Sequence, residues 1–202
     1  MVGVLDYGSG NLHSAVRALE AAGARVVLSR DRASLKKCDR LVVPGVGAFA
    51  ACMSQIQAVG GVELITEWAS SGRPLLGICV GHQVFFTHGV EKGHSANGIG
   101  LYHGAVDKLR SRRLPHMGWN TVDAPSDSML FAGIADQRFY FVHSYASHEL
   151  TNPGAGITWC DHDGDHFIAA VEQDNICSTQ FHPEKSGAAG AQLLHNWLAA
   201  AR

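Results

Sequence analysis

Gly77-Ile78-Cys79-Val80-Gly81 sets glycines two positions either side of a cysteine, where an apolar run ending at Ile78 gives way to a helical pattern. This is the cysteine form of the G-x-S-x-G elbow, whose sharp strand-to-helix turn exposes the nucleophile and tolerates only small neighbours. A thiol so placed feels a helix start, which favours the thiolate. The Val80 amide would face any oxyanion formed on a bound carbonyl. The same residues also fit a buried structural cysteine in a glycine-rich turn, because free cysteine is among the most buried residue types.

A thiolate nucleophile needs a group that carries a proton to the leaving atom, and that group needs orienting. Among twelve histidines, His182 stands out. It closes the apolar run 176–181 and is followed by Pro183-Glu184, and positions i and i+2 of an extended segment point the same way. Glu184 can therefore hold one ring nitrogen while the other faces Cys79, with Pro183 biasing His182 towards extended backbone. The alternative is a partly exposed histidine beside a glutamate in a loop. His82 lies one helical turn beyond Cys79 and is expected to form part of the pocket wall.

Two glycine loops invite a nucleotide reading. Pro44-Gly45-Val46-Gly47-Ala48-Phe49-Ala50 matches a loose G-x-G-x-x-A, but it serves equally well to bring a second amide to an oxyanion near Cys79. The first turn, Asp6-Tyr7-Gly8-Ser9-Gly10-Asn11, carries His13 where a dinucleotide pattern needs its third glycine. Asp161, Asp163, Asp165 and Glu172 mimic calcium-loop spacing, yet His166 stands where the tight turn demands glycine. His143, His148, His162 and His166 show no paired-ligand spacing. No metal or organic cofactor is expected.

Elements that could position these residues follow from apolar periodicity. Strands are expected at 2–5, 24–29, 40–43 and 74–78. Helices are expected at 12–22, 34–38 and 49–71, the last broken at Gly60-Gly61. Short apolar strands between helices describe a parallel sheet covered on both faces. Beyond residue 95 strands dominate, at 101–109, 120–123, 138–142, 157–160, 167–172 and 176–181, with a hairpin turn at Asp163-Gly164 and a closing helix over 186–200. The expected fold is α/β: a mixed, mostly parallel central sheet flanked by helices, with an added antiparallel region. A chain of 202 residues, 46% hydrophobic and without repeats or linkers, suits one domain, 1–202, with enough apolar material for its core.

Composition narrows the class. Sixteen Lys+Arg against eighteen Asp+Glu give a net charge of -2, with no basic excess for a nucleic-acid backbone. Five cysteines, an odd number without any C-x-x-C, argue against a disulfide framework or thiolate zinc site. No apolar stretch approaches the roughly 18 residues of a spanning helix. The expectation is a soluble, cytoplasmic protein with reduced thiols and no membrane or nucleic-acid partner.

Taken together, Gly77-Ile78-Cys79-Val80-Gly81-His82-Gln83 and Phe181-His182-Pro183-Glu184 resemble the triad class of glutamine amidotransferases. Within that class, four stretches are similar to the glutaminase subunits of imidazole glycerol phosphate synthases: Asp6 to Asn11, Pro44 to Phe49, Pro115-His116-Met117-Gly118-Trp119-Asn120 and His143-Ser144-Tyr145. The likeness spans essentially the whole chain. It implies that Cys79 attacks the side-chain amide of glutamine, His182 protonates the departing ammonia and then activates water, and Glu184 orients His182. It further implies an oxyanion site from the amides of Val80 and of the Val46-Gly47 loop, and glutamine contacts at Gly47, Gln83, Ser144 and Tyr145. Asn11, the stretch 115–120 and Lys185 would lie near a separate (β/α)8-barrel synthase (cyclase) subunit or the ammonia route to it. That subunit would make imidazole glycerol phosphate and aminoimidazole carboxamide ribotide in histidine biosynthesis. His82 departs from the apolar residue usual in this subfamily. Other class I amidotransferase subunits, a related cysteine hydrolase and a non-catalytic scaffold are the competing readings. Gln83 and the stretch 115–120 argue against the hydrolase, and the complete triad argues against the scaffold.

Overall fold

The computed structural model describes residues 1–200. Its first half alternates strand and helix: β1 (Val2–Leu5), α1 (Leu12–Ala21), β2 (Val26–Ser29), α2 (Arg32–Leu35), β3 (Arg40–Gly45), α3 (Phe49–Ala58), α4 (Gly61–Ser70), β4 (Leu75–Cys79) and α5 (Val80–Gln83). Every residue of β1, β3 and β4 is buried, Arg40 at the start of β3 included, as mostly apolar strands are when both sheet faces are covered. Helices α3 and α4 meet at Gly60, whose φ of 66° starts the second helix. The break expected at Gly60-Gly61 is present.

The second half is built from β5 (Phe86–Glu91), β6 (His94–Asn97), β7 (Tyr102–Lys108), β8 (His116–Thr121), β9 (Arg138–His143), β10 (Tyr145–Ser147), β11 (Gly156–His162), β12 (Asp165–Gln173) and β13 (Ile176–Thr179). A 3₁₀ turn (Pro183–Lys185) and α6 (Gly187–Ala199) follow. Seven strands form the central sheet in the order β11-β12-β13-β4-β3-β1-β2. Its β13, β4, β3, β1 and β2 run parallel, and β11 and β12 antiparallel. A four-stranded sheet, β10-β7-β5-β6, and the ribbon β8-β9 complete the architecture. The expected mixed, mostly parallel sheet is thus observed. β11 and β12 join through Asp163 and Gly164, both at positive φ (53° and 83°), as a primed two-residue turn demands.

Several boundaries differ from the sequence reading. The strand expected at 120–123 lies at β8, pairing His116 with His143 through to Thr121 with Arg138. Its polar and glycine residues conceal a ribbon held by backbone pairing. β5, β6 and β10 were not expected at all; β6 reads His-Ser-Ala-Asn and owes its form to pairing with β5 rather than to β propensity. The short helix spans α2 rather than 34–38, because the Asp31 carboxylate accepts the N–H groups of Ala33 and Ser34 and caps it earlier. β2 begins at Val26, two residues late, and β13 ends at Thr179, two residues early. No helix among the described residues is long and apolar enough to cross a membrane.

Parallel strands place their carboxyl ends together. The register sets Gly45, at the end of β3, opposite Cys79, at the end of β4, and β13 flanks β4 on its other side. The chain leaving β13 therefore emerges beside Cys79, where open α/β sheets bind ligands.

Candidate active site

Cys79 ends β4 at φ 55° and ψ -110°, a conformation that L-residues hold only when their surroundings impose it. The surroundings are two glycines. A Cβ on Gly77 would stand 2.7 Å from the Gly81 carbonyl oxygen and 2.7 Å from the Phe85 ring, and one on Gly81 would stand 1.8 Å from the Val43 carbonyl oxygen. The elbow closes only without side chains there. Val80 opens α5, where a helix amide has no intrahelical acceptor, so its N–H is available beside the thiol. α5 is a single turn, so the helix field expected at the thiol is short and the nearer charges count for more.

Those charges belong to His182 and Glu184. His182 Nδ1 lies 2.7 Å from Glu184 Oε1, with both side chains almost fully buried. His182 Nε2 is buried and has no hydrogen-bonded protein partner among the described residues; it and Cys79 line one cavity. Burial opposes the imidazolium, but the nearby Cys79 and the hydrogen bond and charge of Glu184 outweigh it and push His182 up to about 9. Ser186 pins this segment to β9: its hydroxyl donates to the His182 carbonyl (2.6 Å) and accepts the Tyr140 N–H (2.9 Å).

The cavity, about 270 Å³, is lined by Val46, Gly47, Cys79, Val80, Gln83, Glu91, His143, Ser144, Tyr145, His182 and Lys185, among others. All four residues expected to bind substrate, Gly47, Gln83, Ser144 and Tyr145, share it. Gln83 Nε2 donates to the Tyr145 carbonyl (2.8 Å) and to Gln180 Oε1 (2.9 Å). Gly47 holds φ 113° at the rim, a conformation suited to glycine.

Two expectations change. The Val46 amide, expected at the oxyanion, donates instead to Ser9 Oγ at 3.0 Å, because the β1 turn brings that hydroxyl up to it; Gly47 is left as the loop's candidate donor. Asn11, expected near a partner, is exposed, and it also donates from Nδ2 to Glu184 Oε1 at 3.1 Å, which supports the carboxylate. His82, expected in the wall, is fully buried away from the cavity, with Nδ1 2.7 Å from Ser178 Oγ and its ring edge-on to Phe86. Burial pushes it down to about 3. The elbow's non-helical backbone breaks the phase by which residue 82 was placed.

Two polar residues of the site were missed. Gln180 is buried, and its Nε2 lies 3.9 Å from Cys79 Sγ; its i, i+2 relation to His182 was the available signal. Glu91 is the one carboxylate among the described lining residues, on a strand that was not foreseen; its Oε2 accepts the Phe49 N–H at 3.0 Å. Among the described residues no group of three His, Cys, Asp or Glu could hold a metal ion. The calcium-like acids are committed elsewhere: Asp165 accepts the Arg110 N–H, and Asp163 the Arg112 N–H. Met117 and Trp119 project from β8 as large exposed apolar side chains.

A family model, glutamine amidotransferase class-I, matches residues 3–201. A protein of Leifsonia xyli subsp. xyli, named imidazole glycerol phosphate synthase subunit HisH, is 53% identical over 96% of both chains. One of the same name from Nocardia farcinica is 55% identical over 98% of this chain and 96% of its own. A crystal structure of a glutamine amidotransferase shares the fold with a TM-score of 0.75 at 19% identity, covering 98% of this chain and 96% of its own.

Proposed function

The chain belongs to the class I glutamine amidotransferases, and on that premise we propose that it is the glutaminase subunit of an imidazole glycerol phosphate synthase. It hydrolyses L-glutamine to glutamate and ammonia, and the ammonia passes to a separate synthase subunit in histidine biosynthesis. Relatives more than half identical over nearly their full length carry that subunit's name. The partner is a (β/α)8 barrel, the exposed Met117 and Trp119 face is its docking surface, and the pair works in the cytoplasm. The chain acts as one domain, consistent with a single contiguous apolar core.

The observation that carries the reading is His182 bonded through Nδ1 to Glu184 and sharing one cavity with Cys79. The Cys79 thiolate attacks the side-chain carbonyl carbon of glutamine. The oxyanion forms against the Val80 amide, with Gly47 as the second donor. His182, held as imidazolium by Glu184, gives its proton to the leaving ammonia as the thioester forms. Neutral His182 then takes a proton from water, whose oxygen attacks the thioester and regenerates the thiolate. Gln83, Ser144 and Tyr145 seat the substrate. Glu91 supplies the negative charge that matches its α-ammonium group.

The test is glutamate release from glutamine with the synthase subunit and its ribonucleotide substrate present. Cys79→Ala should abolish it, while the complex still forms imidazole glycerol phosphate from added ammonium salt. Glutamine turnover by Cys79→Ala would overturn the assignment of the nucleophile.

A further inference from the structure

The cavity wall at Tyr145 is backed by a chain of polar groups that the steps above do not use. Asn120 Nδ2 donates to the Asp161 carbonyl at 2.9 Å and faces His116 Nε2 at 3.3 Å. His116 Nδ1 lies 3.0 Å from His143 Nε2, and His143 Nδ1 lies 3.0 Å from the Tyr145 carbonyl. Both imidazoles are buried.

The proton positions follow from the two ends. A carbonyl only accepts, so His143 carries its proton on Nδ1 and offers Nε2 as an acceptor. His116 must then donate from Nδ1, which leaves its own Nε2 to accept. At the other end Asn120 Oδ1 accepts the Thr121 N–H at 2.9 Å, which turns Nδ2 towards His116. The two ends independently require the same direction. Both rings are neutral: burial, then His162, pushes His116 down to about 4, and burial pushes His143 down to about 3 against the pull of the Tyr145 carbonyl. A proton added to either ring would set donor against donor.

The chain ends where substrate binds. The Tyr145 carbonyl also accepts from Gln83 Nε2, whose second N–H goes to Gln180 Oε1. With both hydrogens committed, Gln83 has only Oε1 to offer a ligand. An amide turned end for end would set that oxygen against the carbonyl. We propose that His116 and His143 are positioning residues for the glutamine substrate, a one-directional relay from Asn120 that holds the Tyr145 carbonyl and thereby presents Gln83 Oε1 to the cavity. The role rests on the glutaminase reading.

Two measurements test it. In ¹⁵N-histidine-labelled protein near neutral pH, two-bond ¹H–¹⁵N correlations, assigned with single-histidine variants, should show both rings protonated at Nδ1 and bare at Nε2. An Nε2–H or an imidazolium on either ring overturns the relay. In the complex, His116→Leu should raise KM for glutamine about fivefold to tenfold, the worth of one hydrogen bond, with kcat within about twofold. His116→Asn, whose Nδ2 overlies the histidine Nδ1, should recover KM to within about twofold of the unaltered chain, since only that one bond is to be replaced. Equal KM values for the Leu and Asn variants, or a fall in kcat at constant KM, refute the role. If the unaltered complex released no glutamate while both rings held Nδ1–H, the glutaminase reading would fall, taking the positioning role with it and leaving the hydrogen-bond geometry intact. Normal turnover with an Nε2–H ring would do the reverse.

Discussion

Gly81→Ala is the substitution by which the elbow can be tested most directly. The new Cβ would stand 1.8 Å from the Val43 carbonyl oxygen and 2.8 Å from its carbon. Real Cβ contacts essentially never fall under 3.0 Å, so α5 and β3 must part by at least 3.0 - 1.8, or 1.2 Å. Backbone lies on both sides of the contact, and no flexible side chain can absorb it. Retreat from β3 carries the Val80 amide and the Cys79 Sγ with it, away from the Gly45–Gly47 loop. Overpacking on this scale costs about 1–3 kcal/mol of stability, and a misplacement of about 1 Å at reacting groups costs on the order of 10²-fold in rate. We therefore expect kcat/KM for glutamine hydrolysis in the complex to fall about 100-fold or more, with a lowered urea midpoint. Synthesis from ammonium salt should be retained, showing that the complex still assembles. Glutaminase activity within about tenfold of the unaltered chain, at an unchanged midpoint, would refute the account of why glycine stands there.

Other expectations follow from single contacts. Because His182 is raised to about 9 in the folded chain, its contribution to stability is complete below its ordinary value of about 6.5 and is lost as pH rises through about 9. Glu184→Gln should shrink that alkaline loss in urea midpoints, and an unchanged loss would contradict the pairing. Asn11→Gly keeps the positive φ of 64° while removing the donor to Glu184 Oε1. It should lower kcat about fivefold, the worth of roughly one hydrogen bond, at unchanged KM; a KM effect instead would place Asn11 on substrate. Glu91→Gln keeps an acceptor for Phe49 but loses the charge, so KM for glutamine should rise about tenfold with kcat little altered. A constant KM would remove Glu91 from the substrate site.

What was legible in the sequence was local. The elbow could be read because glycines, cysteine and the change from strand to helix all fall within five residues, and the Cys79 φ of 55° confirms the turn. His182 and Glu184 could be read because i, i+2 spacing needs no tertiary knowledge. The Asp163-Gly164 hairpin is likewise contained in its own dipeptide. The misreadings involve partners distant in sequence. Val46 was assigned an oxyanion role without sight of Ser9, which lies 37 residues earlier and takes its amide. β6, with Ala96 its one apolar residue, could be recognised only from the strand it pairs with.

The same distinction explains how the nucleophile is served. A one-turn α5 contributes little field, so the proton-transfer partner of Cys79 is His182, on a segment more than a hundred residues away. That segment has no long element of its own to hold it. Its placement depends on β13 running parallel beside β4, on the Ser186 hydroxyl bridging Tyr140 and His182, and on the Glu184 carboxylate gripped from β1's turn by Asn11. Each tie joins a different part of the chain to the catalytic histidine. The apolar sheet can therefore form from its local patterns, whereas the proton-transfer geometry requires β1, β4, β9 and β13 to be in place together.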